Sequence, residues 1–251
     1  MRETMKRVFA ILIAAALLLS LAACGRQPQE TPSLEPAPTP TAAETPAPPD
    51  PETLYRPVLA QYREAQAQDF YAGRLGELAP EDANLNFELL LAAASYQAQG
   101  IPYRVYYAFY DLDGNGTPEL LVGGMSEFKG QSENALPELY GVYACDGEKP
   151  VALAFAGARV DLNLYQNGAF ILHGSGGAGY DCYTFCKIAP NGYEREVVDE
   201  VYIHYLDENA APVYSHDLDR KDAMFAREFE VLLQSYNDIG SPALDWMALT
   251  V

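Results

Sequence analysis

Three short turn signals constrain the fold of this chain more than any other feature of its sequence. They are Asp146-Gly147, Asn167-Gly168 and Asn191-Gly192, and each supplies residues that tolerate the positive φ of a tight β-hairpin. The signals stand 21 and 24 residues apart, which leaves room for two strands in each interval. The sequence therefore predicts a series of antiparallel hairpins.

Alternating apolar and polar residues support the hairpins. In residues 160–164 and 201–205, every second side chain is apolar. Such alternation is typical of strands with one face buried. From Tyr103 onward the chain is β-prone, and we expect an antiparallel meander of about seven to nine strands.

Helical periodicity precedes and follows the predicted strands. Apolar residues recur at helical spacing over 54–65 and again over 87–94. A last amphipathic helix is predicted over about 222–236, with Asp219 as its N-cap. The fold prediction is a single α+β domain over 51–251, with N-terminal helices, a β meander and a C-terminal helix packed on the sheet.

The first 23 residues have the layout of a secretory signal peptide, with a basic start and an apolar run that ends in small residues. The stretch Leu21-Ala-Ala-Cys24-Gly resembles the lipobox of bacterial lipoproteins. That resemblance implies cleavage before Cys24 and its acylation with palmitate-type chains. The alternative is an ordinary signal peptide that is cut at an Ala-x-Ala site. A lipidated protein would lie on the outer face of the cell membrane without spanning it.

Residues 24–50 differ from the rest of the chain in composition. Eight prolines stand among Thr, Ala, Gln and Glu between residues 28 and 49. Such a segment cannot bury enough apolar surface to offset the entropy of ordering. We predict a disordered, polyproline-like linker that joins the lipidated cysteine to the extracellular domain.

The formal charge of the chain is −19 at pH 7, and nearly all of it belongs to residues 51–251. A surface of this sign repels nucleic acid, so we expect no nucleic-acid partner. It attracts cations and basic partners, and it also keeps the protein soluble.

One acidic stretch, residues 111–119, carries a specific chemical pattern. It places oxygen-bearing side chains at positions 1, 3, 5 and 9 of a loop, with a glycine at position 6. Position 7 would offer its backbone carbonyl. This spacing suits calcium, which prefers six to eight oxygen ligands. The candidate ligands are Asp111, Asp113, Asn115, Thr117 and Glu119.

The flanks of this stretch are β-prone, whereas helices would flank an EF-hand, and Val122 stands at position 12 where an EF-hand has a bidentate Glu. Residues 109–124 resemble the strand–loop–strand calcium hairpins of FG-GAP and VCBS-type repeats, and their first half is similar to EF-hand and dockerin loops. The resemblance implies that the same five residues bind a structural calcium ion. The missing bidentate Glu favours a weak affinity, roughly 10⁻⁴ to 10⁻³ M.

A metal-free hairpin tip is the alternative to a calcium site, because Asp-Gly and Asn-Gly form turns without metal. The whole layout, from the lipobox to the β meander, resembles uncharacterised surface lipoproteins of Gram-positive bacteria.

Three cysteines follow Cys24. Cys182 and Cys186 lie four residues apart on one predicted strand, roughly 13 Å apart at about 3.3 Å per residue, which is too far for a mutual disulfide. Cys145 can pair with either of them if their strands are neighbours. The alternative is that all three are small buried apolar residues.

No catalytic motif stands out. The Gly-x-Ser-x-Gly elbow is absent, and the three histidines lie in no metal-binding pattern, although a triad is assembled in space rather than in sequence. Some of the 18 tyrosines occupy opposite faces of predicted strands and are candidate platforms for a glycan or a protein, among them Tyr106, Tyr107, Tyr202 and Tyr205.

We therefore expect a membrane-anchored module that binds a cell-envelope glycan or a surface protein. The alternatives are a lipid-anchored hydrolase acting on glycan or peptide, and a purely structural envelope protein.

Overall fold

The predicted turns connect strands that pair into two separate antiparallel sheets. The computed structural model describes residues 50–71, 84–127, 135–177, 179–206 and 211–251. These residues belong to the unit Ala47–Val251. The predicted signal peptide, Cys24 and residues 25–49 of the predicted linker lie outside the described residues.

The helices and strands of the described residues follow the order of the sequence prediction. The helices are α1 (Pro51–Leu54), α2 (Arg56–Ala67), α3 (Phe87–Ala98) and α4 (Ala226–Ile239), with a 3₁₀ turn at Asp69–Tyr71. The strands are β1 (Tyr103–Tyr110), β2 (Glu119–Ser126), β3 (Glu138–Cys145), β4 (Pro150–Phe155), β5 (Val160–Leu164), β6 (Ala169–Ser175), β7 (Tyr180–Ile188), β8 (Arg195–His204), β9 (Val213–Ser215), β10 (Ala223–Met224) and β11 (Met247–Ala248). Within these ranges, no helix is both long enough and apolar enough to cross a membrane.

The elements stack in four layers. The first sheet has the order β11-β1-β2-β3-β4, and α1, α2 and α3 cover its outer face, where Tyr62 contacts Tyr143. The second sheet has the order β10-β9-β8-β7-β6-β5. The inner faces of the two sheets share a buried apolar cluster that includes Leu121 and Phe170. The C-terminal helix α4 covers the outer face of the second sheet around Phe229.

The α+β prediction is confirmed, but the described residues contain eleven strands instead of seven to nine, and these strands form two sheets. Each predicted turn joins neighbouring strands, and its glycine has a positive φ of 96°, 77° or 80°. The chain leaves the first sheet after Phe155, where it reverses through a bridge between Gly157 and Val160, and returns to that sheet only at β11. The additional strands are the short β9, β10 and β11, which have two or three residues each and too little alternation to detect.

The predicted start of the C-terminal helix is wrong. The helix begins at Ala226, and Asp219 does not cap it. The preceding residues form a tight turn in which the Asp217 carboxylate accepts hydrogen bonds from the backbone N–H groups of Lys221 and Asp222. Strand β10 then pairs with β9, so this segment joins the sheet before the helix can start.

The predicted disulfide of Cys145 with Cys182 or Cys186 does not form, and all three thiols are free. Cys145 ends β3 in the first sheet, whereas the other two lie on β7 in the second sheet, so their strands are not neighbours. Cys145 packs against the core beneath the N-terminal helices, and Cys186 lies in the core between the sheets. The alternative, small buried apolar residues, describes Cys186 best.

Candidate metal centre

The acidic stretch connects two paired strands. Strands β1 and β2 are in register from Tyr103↔Ser126 to Tyr110↔Glu119, and residues 111–118 form the loop between them. The loop turns sharply at Gly114 and Gly116, whose φ angles are +74° and +89°. The predicted strand–loop–strand geometry is therefore confirmed.

Backbone N–H groups hold the first two acids in place. The Asp111 carboxylate accepts hydrogen bonds from the N–H groups of Gly114 and Gly116, each at 2.9 Å. The Asp113 carboxylate accepts one from the N–H of Asn115 at 3.0 Å. The loop thus curls around its own carboxylates, while their remaining lone pairs stay available to a cation.

Glu119 is the unusual acid of the group, because only 1% of it is exposed. It opens β2, and its carboxylate accepts a hydrogen bond of 2.7 Å from the N–H of Leu112. Burial raises the pKa of Glu119 to about 8; the hydrogen bond from Leu112 opposes the rise, and the charges of Asp113 and Asp111 add to it. A buried acid beside two further acids is a position where a cation would be stabilised.

The spacing of the three carboxylates fits a calcium ion. One oxygen of each of Asp111, Asp113 and Glu119 lies within 4.8 Å of the other two. Two oxygens on the same calcium ion, each about 2.3–2.6 Å from it, lie at most roughly 5.2 Å apart. All three groups can therefore reach one ion with little movement.

The side chain of Asn115, a fourth predicted ligand, is engaged within the loop. Asn115 donates a hydrogen bond from its side-chain amide to Asp113 at 2.9 Å, and its side-chain oxygen accepts from the N–H of Thr117 at 2.7 Å. Asn115 thus presents nitrogen, not oxygen, to the acids. Three of the five predicted ligands, the carboxylates, converge within 4.8 Å, and Thr117 lines the cleft beside them with Asn115 and Glu119.

Turns of the second sheet support the loop from one side. A Cβ atom added at Gly168 would lie 2.1 Å from the carbonyl oxygen of Leu112. A Cβ at Gly192 would lie 2.9 Å from the amide nitrogen of Asn115. The sequence identified these glycines as turn residues but gave no sign that their turns meet the acidic loop.

A cleft of about 440 Å³ opens beside the loop. Asn115, Thr117 and Glu119 line one part of it, and Asp146, Asn191 and Tyr193 from two of the predicted turns line another. Its size falls within the range of small-molecule sites, roughly 300–1,000 Å³, and its lining supplies both polar groups and an aromatic ring.

A serine and a histidine meet elsewhere, at the edge of the second sheet. The Nε2 atom of His204 lies 2.9 Å from the Oγ of Ser215. Ser215 is fully buried, and its hydroxyl donates to the carbonyl of Asp217 at 2.6 Å. Because this proton is already engaged and no solvent reaches the oxygen, the pair stabilises the β8–β9 hairpin and does not form a nucleophile.

The tyrosines proposed as a binding platform are unevenly exposed. Tyr205 is 45% exposed, and its hydroxyl donates to Asp181 at 2.8 Å. Tyr106 and Tyr202 are half-buried, and Tyr107 is buried. They lie on both sheets, so they do not form one continuous patch.

No family model matches this chain, and neither a curated protein nor a solved structure is similar to it.

Proposed function

We propose that this protein is a lipid-anchored, extracytoplasmic surface protein whose β1–β2 hairpin binds a structural calcium ion. The calcium part rests on one observation, the convergence of the carboxylates of Asp111, Asp113 and Glu119 within 4.8 Å at the tip of a strand–loop–strand unit. The anchoring part rests on the lipobox-like sequence at Cys24 and the proline-rich segment that follows it.

A structural role suits the ion better than a catalytic one. Val122, at position 12 of the motif, lies within β2 opposite Tyr107 and cannot supply a bidentate carboxylate. The affinity expected without that ligand is weak, and it suits the calcium levels outside a cell. The ion would neutralise three close carboxylates and fix the hairpin against the turns of the second sheet.

The cleft beside the hairpin supports a binding role. Its amide, carboxylate and aromatic groups suit a neutral or basic ligand, because the charge of −19 repels anions. We propose a cell-envelope glycan or a surface protein as the partner. Among the described residues, the raised pKa of Glu119 within a cleft favours the alternative, a hydrolase. That shift is also what a metal site produces when its acids lack a counter-charge.

Thermal unfolding with and without calcium tests the ion site. With a Kd of roughly 10⁻⁴ to 10⁻³ M, about 10 mM calcium should stabilise the fold by about 1.4–2.7 kcal/mol. For a domain of this size the midpoint should rise by roughly 3–10 °C over the sample with chelator.

Matched variants make the calcium measurement specific. Asp113→Asn removes a charge from the predicted site, whereas Asp146→Asn removes one from a neighbouring turn of the same sheet. The first variant should lose most of the calcium shift and the second should keep it. An unchanged midpoint in the parent protein would rule out the ion site.

The anchor and the partner require separate measurements. Mass spectrometry of the mature protein should find a diacylated N-terminal Cys24, and an unmodified cysteine would refute the anchor.

A glycan and surface-protein binding screen, run with calcium and with chelator, should detect a calcium-dependent ligand. Turnover of a glycan or peptide would support the hydrolase instead, and no binding at all would favour a purely structural envelope protein.

A further inference from the structure

Tyr55 lies at the junction of α1 and α2, with its side chain fully buried. Its N–H donates to the carbonyl of Pro51 at 3.1 Å, and its own carbonyl accepts from Leu59 at 3.0 Å. Its ring packs 6.0 Å, centroid to centroid, from that of Phe109, two residues before the acidic loop. The backbone and the ring of Tyr55 are thus firmly held.

The hydroxyl of Tyr55 makes no hydrogen bond of full geometry within the described part of the chain, although the backbone N–H of Leu120 lies close enough to lower its pKa. Such isolation is unfavourable and uncommon for a buried polar group. Two other tyrosines buried in the same core differ sharply, because the hydroxyls of Tyr62 and Tyr143 lie 2.8 Å apart and each makes a second bond, to Asn86 N–H and Asn84 carbonyl respectively. The proton of the Tyr55 hydroxyl is therefore left without an acceptor among the described residues.

The surroundings of this hydroxyl point to the acidic loop. The Tyr55 ring packs on Phe109, whose partner across β1 and β2 is Leu120, the residue after Glu119. Burial raises the pKa of Tyr55, the charges of Glu119 and Cys145 add to the rise, and the backbone N–H of Leu120 opposes it. Glu119 and Cys145 both line the cleft beside the loop, as does Leu54, the neighbour of Tyr55. The Tyr55 side chain thus packs on the strand pair β1–β2 next to Glu119, the buried member of the three-carboxylate cluster.

We propose that Tyr55 belongs to the calcium site, where its hydroxyl donates a hydrogen bond to a water molecule that the ion retains beside Glu119. This inference rests on the proposed ion site. Calcium loops of this spacing often bind the residue at position 9 through water, and Glu119 occupies that position. The water gives the hydroxyl its missing acceptor, and Tyr55 acts as a positioning residue that does not touch the ion.

This contact would connect the start of the folded domain to the hairpin. Tyr55 stands only five residues after Asp50, where the described chain begins, and 64 residues before Glu119. Calcium would then stabilise the packing of α1 and α2 on the first sheet as well as the loop itself.

The test compares Tyr55→Phe with Tyr62→Phe by calcium titration calorimetry and by metal-free thermal unfolding. Each variant removes one buried oxygen and keeps the ring. Tyr55→Phe should raise the calcium Kd about three- to tenfold, the effect of losing one hydrogen bond, while its metal-free midpoint stays the same or rises. Tyr62→Phe should lower the metal-free midpoint, because it breaks bonds to protein groups, and should leave the Kd within about twofold.

The outcomes separate the two proposals. If the parent protein binds calcium and Tyr55→Phe binds it within twofold of the parent, the role of Tyr55 is refuted and the ion site stands. A metal-free midpoint that falls as far in Tyr55→Phe as in Tyr62→Phe would also refute it, since the hydroxyl would then have a protein partner. If the parent binds no calcium, the ion site fails and this inference fails with it.

Discussion

Two turns of the first sheet both combine acidic residues with glycine, but the pKa of the acid is lowered in one turn and raised in the other. In the β3–β4 turn, the Asp146 carboxylate accepts hydrogen bonds from the N–H groups of Glu148 and Lys149 at 3.0 and 2.9 Å. These bonds lower the pKa of Asp146, so its charge is already stabilised by the turn itself. In the β1–β2 hairpin, burial raises the pKa of Glu119, and its acidic neighbours add to the rise.

The turn before β10 repeats the pattern of Asp146. The N–H groups of Lys221 and Asp222 donate to Asp217, and the first of these bonds is the main reason that its pKa is lowered. An Asp carboxylate that accepts hydrogen bonds from the N–H groups of its own turn is therefore stabilised in its charged form without a cation. The buried third acid distinguishes the hairpin, because burial destabilises the charge of Glu119 by more than its backbone hydrogen bonds stabilise it.

The largest expected effect is a fall in the metal-free stability of the hairpin as the pH rises. The folded-state pKa of Glu119, about 8, exceeds its unfolded value of 4.5. Between these values the folded state holds a proton that the unfolded state has lost, so the free energy of unfolding decreases with pH. From pH 5 to pH 8 the decrease should be about 3 kcal/mol, measured by denaturant unfolding of the metal-free protein.

The variant Glu119→Gln isolates this contribution. Gln still accepts the Leu112 hydrogen bond but does not titrate, so most of the decrease should disappear. His216 provides the background: its hydrogen bond to Asp199 raises its pKa, and the resulting stability is present below its unfolded value and lost as the pH rises through its folded one. Equal pH profiles for the parent and Glu119→Gln would mean that Glu119 ionises normally and that the hairpin resembles the Asp146 turn.

The difference between the two turns was only partly visible in the sequence. The β flanks of the acidic loop and the three Asx-Gly turns are local features, and all of them were predicted correctly. The burial of Glu119 was not predictable in the same way, because it depends on how the loop and its surroundings pack in three dimensions, where the N–H of Leu112 meets the carboxylate. Spacing identified the candidate ligands, and tertiary packing decided the pKa of one of them.

The division into two sheets was missed for a related reason. Hairpin signals define which strands are sequential neighbours, but the reversal at Gly157 carries no distinct turn dipeptide. Likewise, β11 consists of Met247–Ala248 and pairs with β1 across about 140 residues of sequence. A strand of two residues has too short a pattern for this pairing to be predicted. The start of α4 was misplaced because the turn at Asp217 competes with a helix for the same residues.

The smaller expected effect concerns how each turn is supported. Gly168 and Gly147 both have a positive φ, 77° and 96°. A Cβ at Gly147 would meet nothing within 4 Å, whereas one at Gly168 would lie 2.1 Å from the Leu112 carbonyl oxygen at the start of the acidic loop. Gly147→Ala should therefore cost about 1 kcal/mol of backbone strain, and Gly168→Ala should cost about 2 kcal/mol more, because two backbone segments must separate.

Denaturant unfolding of the two alanine variants measures how much more stability Gly168→Ala loses than Gly147→Ala. The same variants are also unfolded with calcium, to compare the rise in the midpoint that calcium causes. Displacing Leu112 moves the N–H that holds Glu119, so Gly168→Ala should also weaken the calcium-induced rise in the midpoint, while Gly147→Ala should leave that rise intact. Equal losses of stability in the two variants would show that the close packing of Gly168 against Leu112 does not contribute to the stability of the fold. An unaltered calcium response in Gly168→Ala would mean that the hairpin forms its site without support from the second sheet.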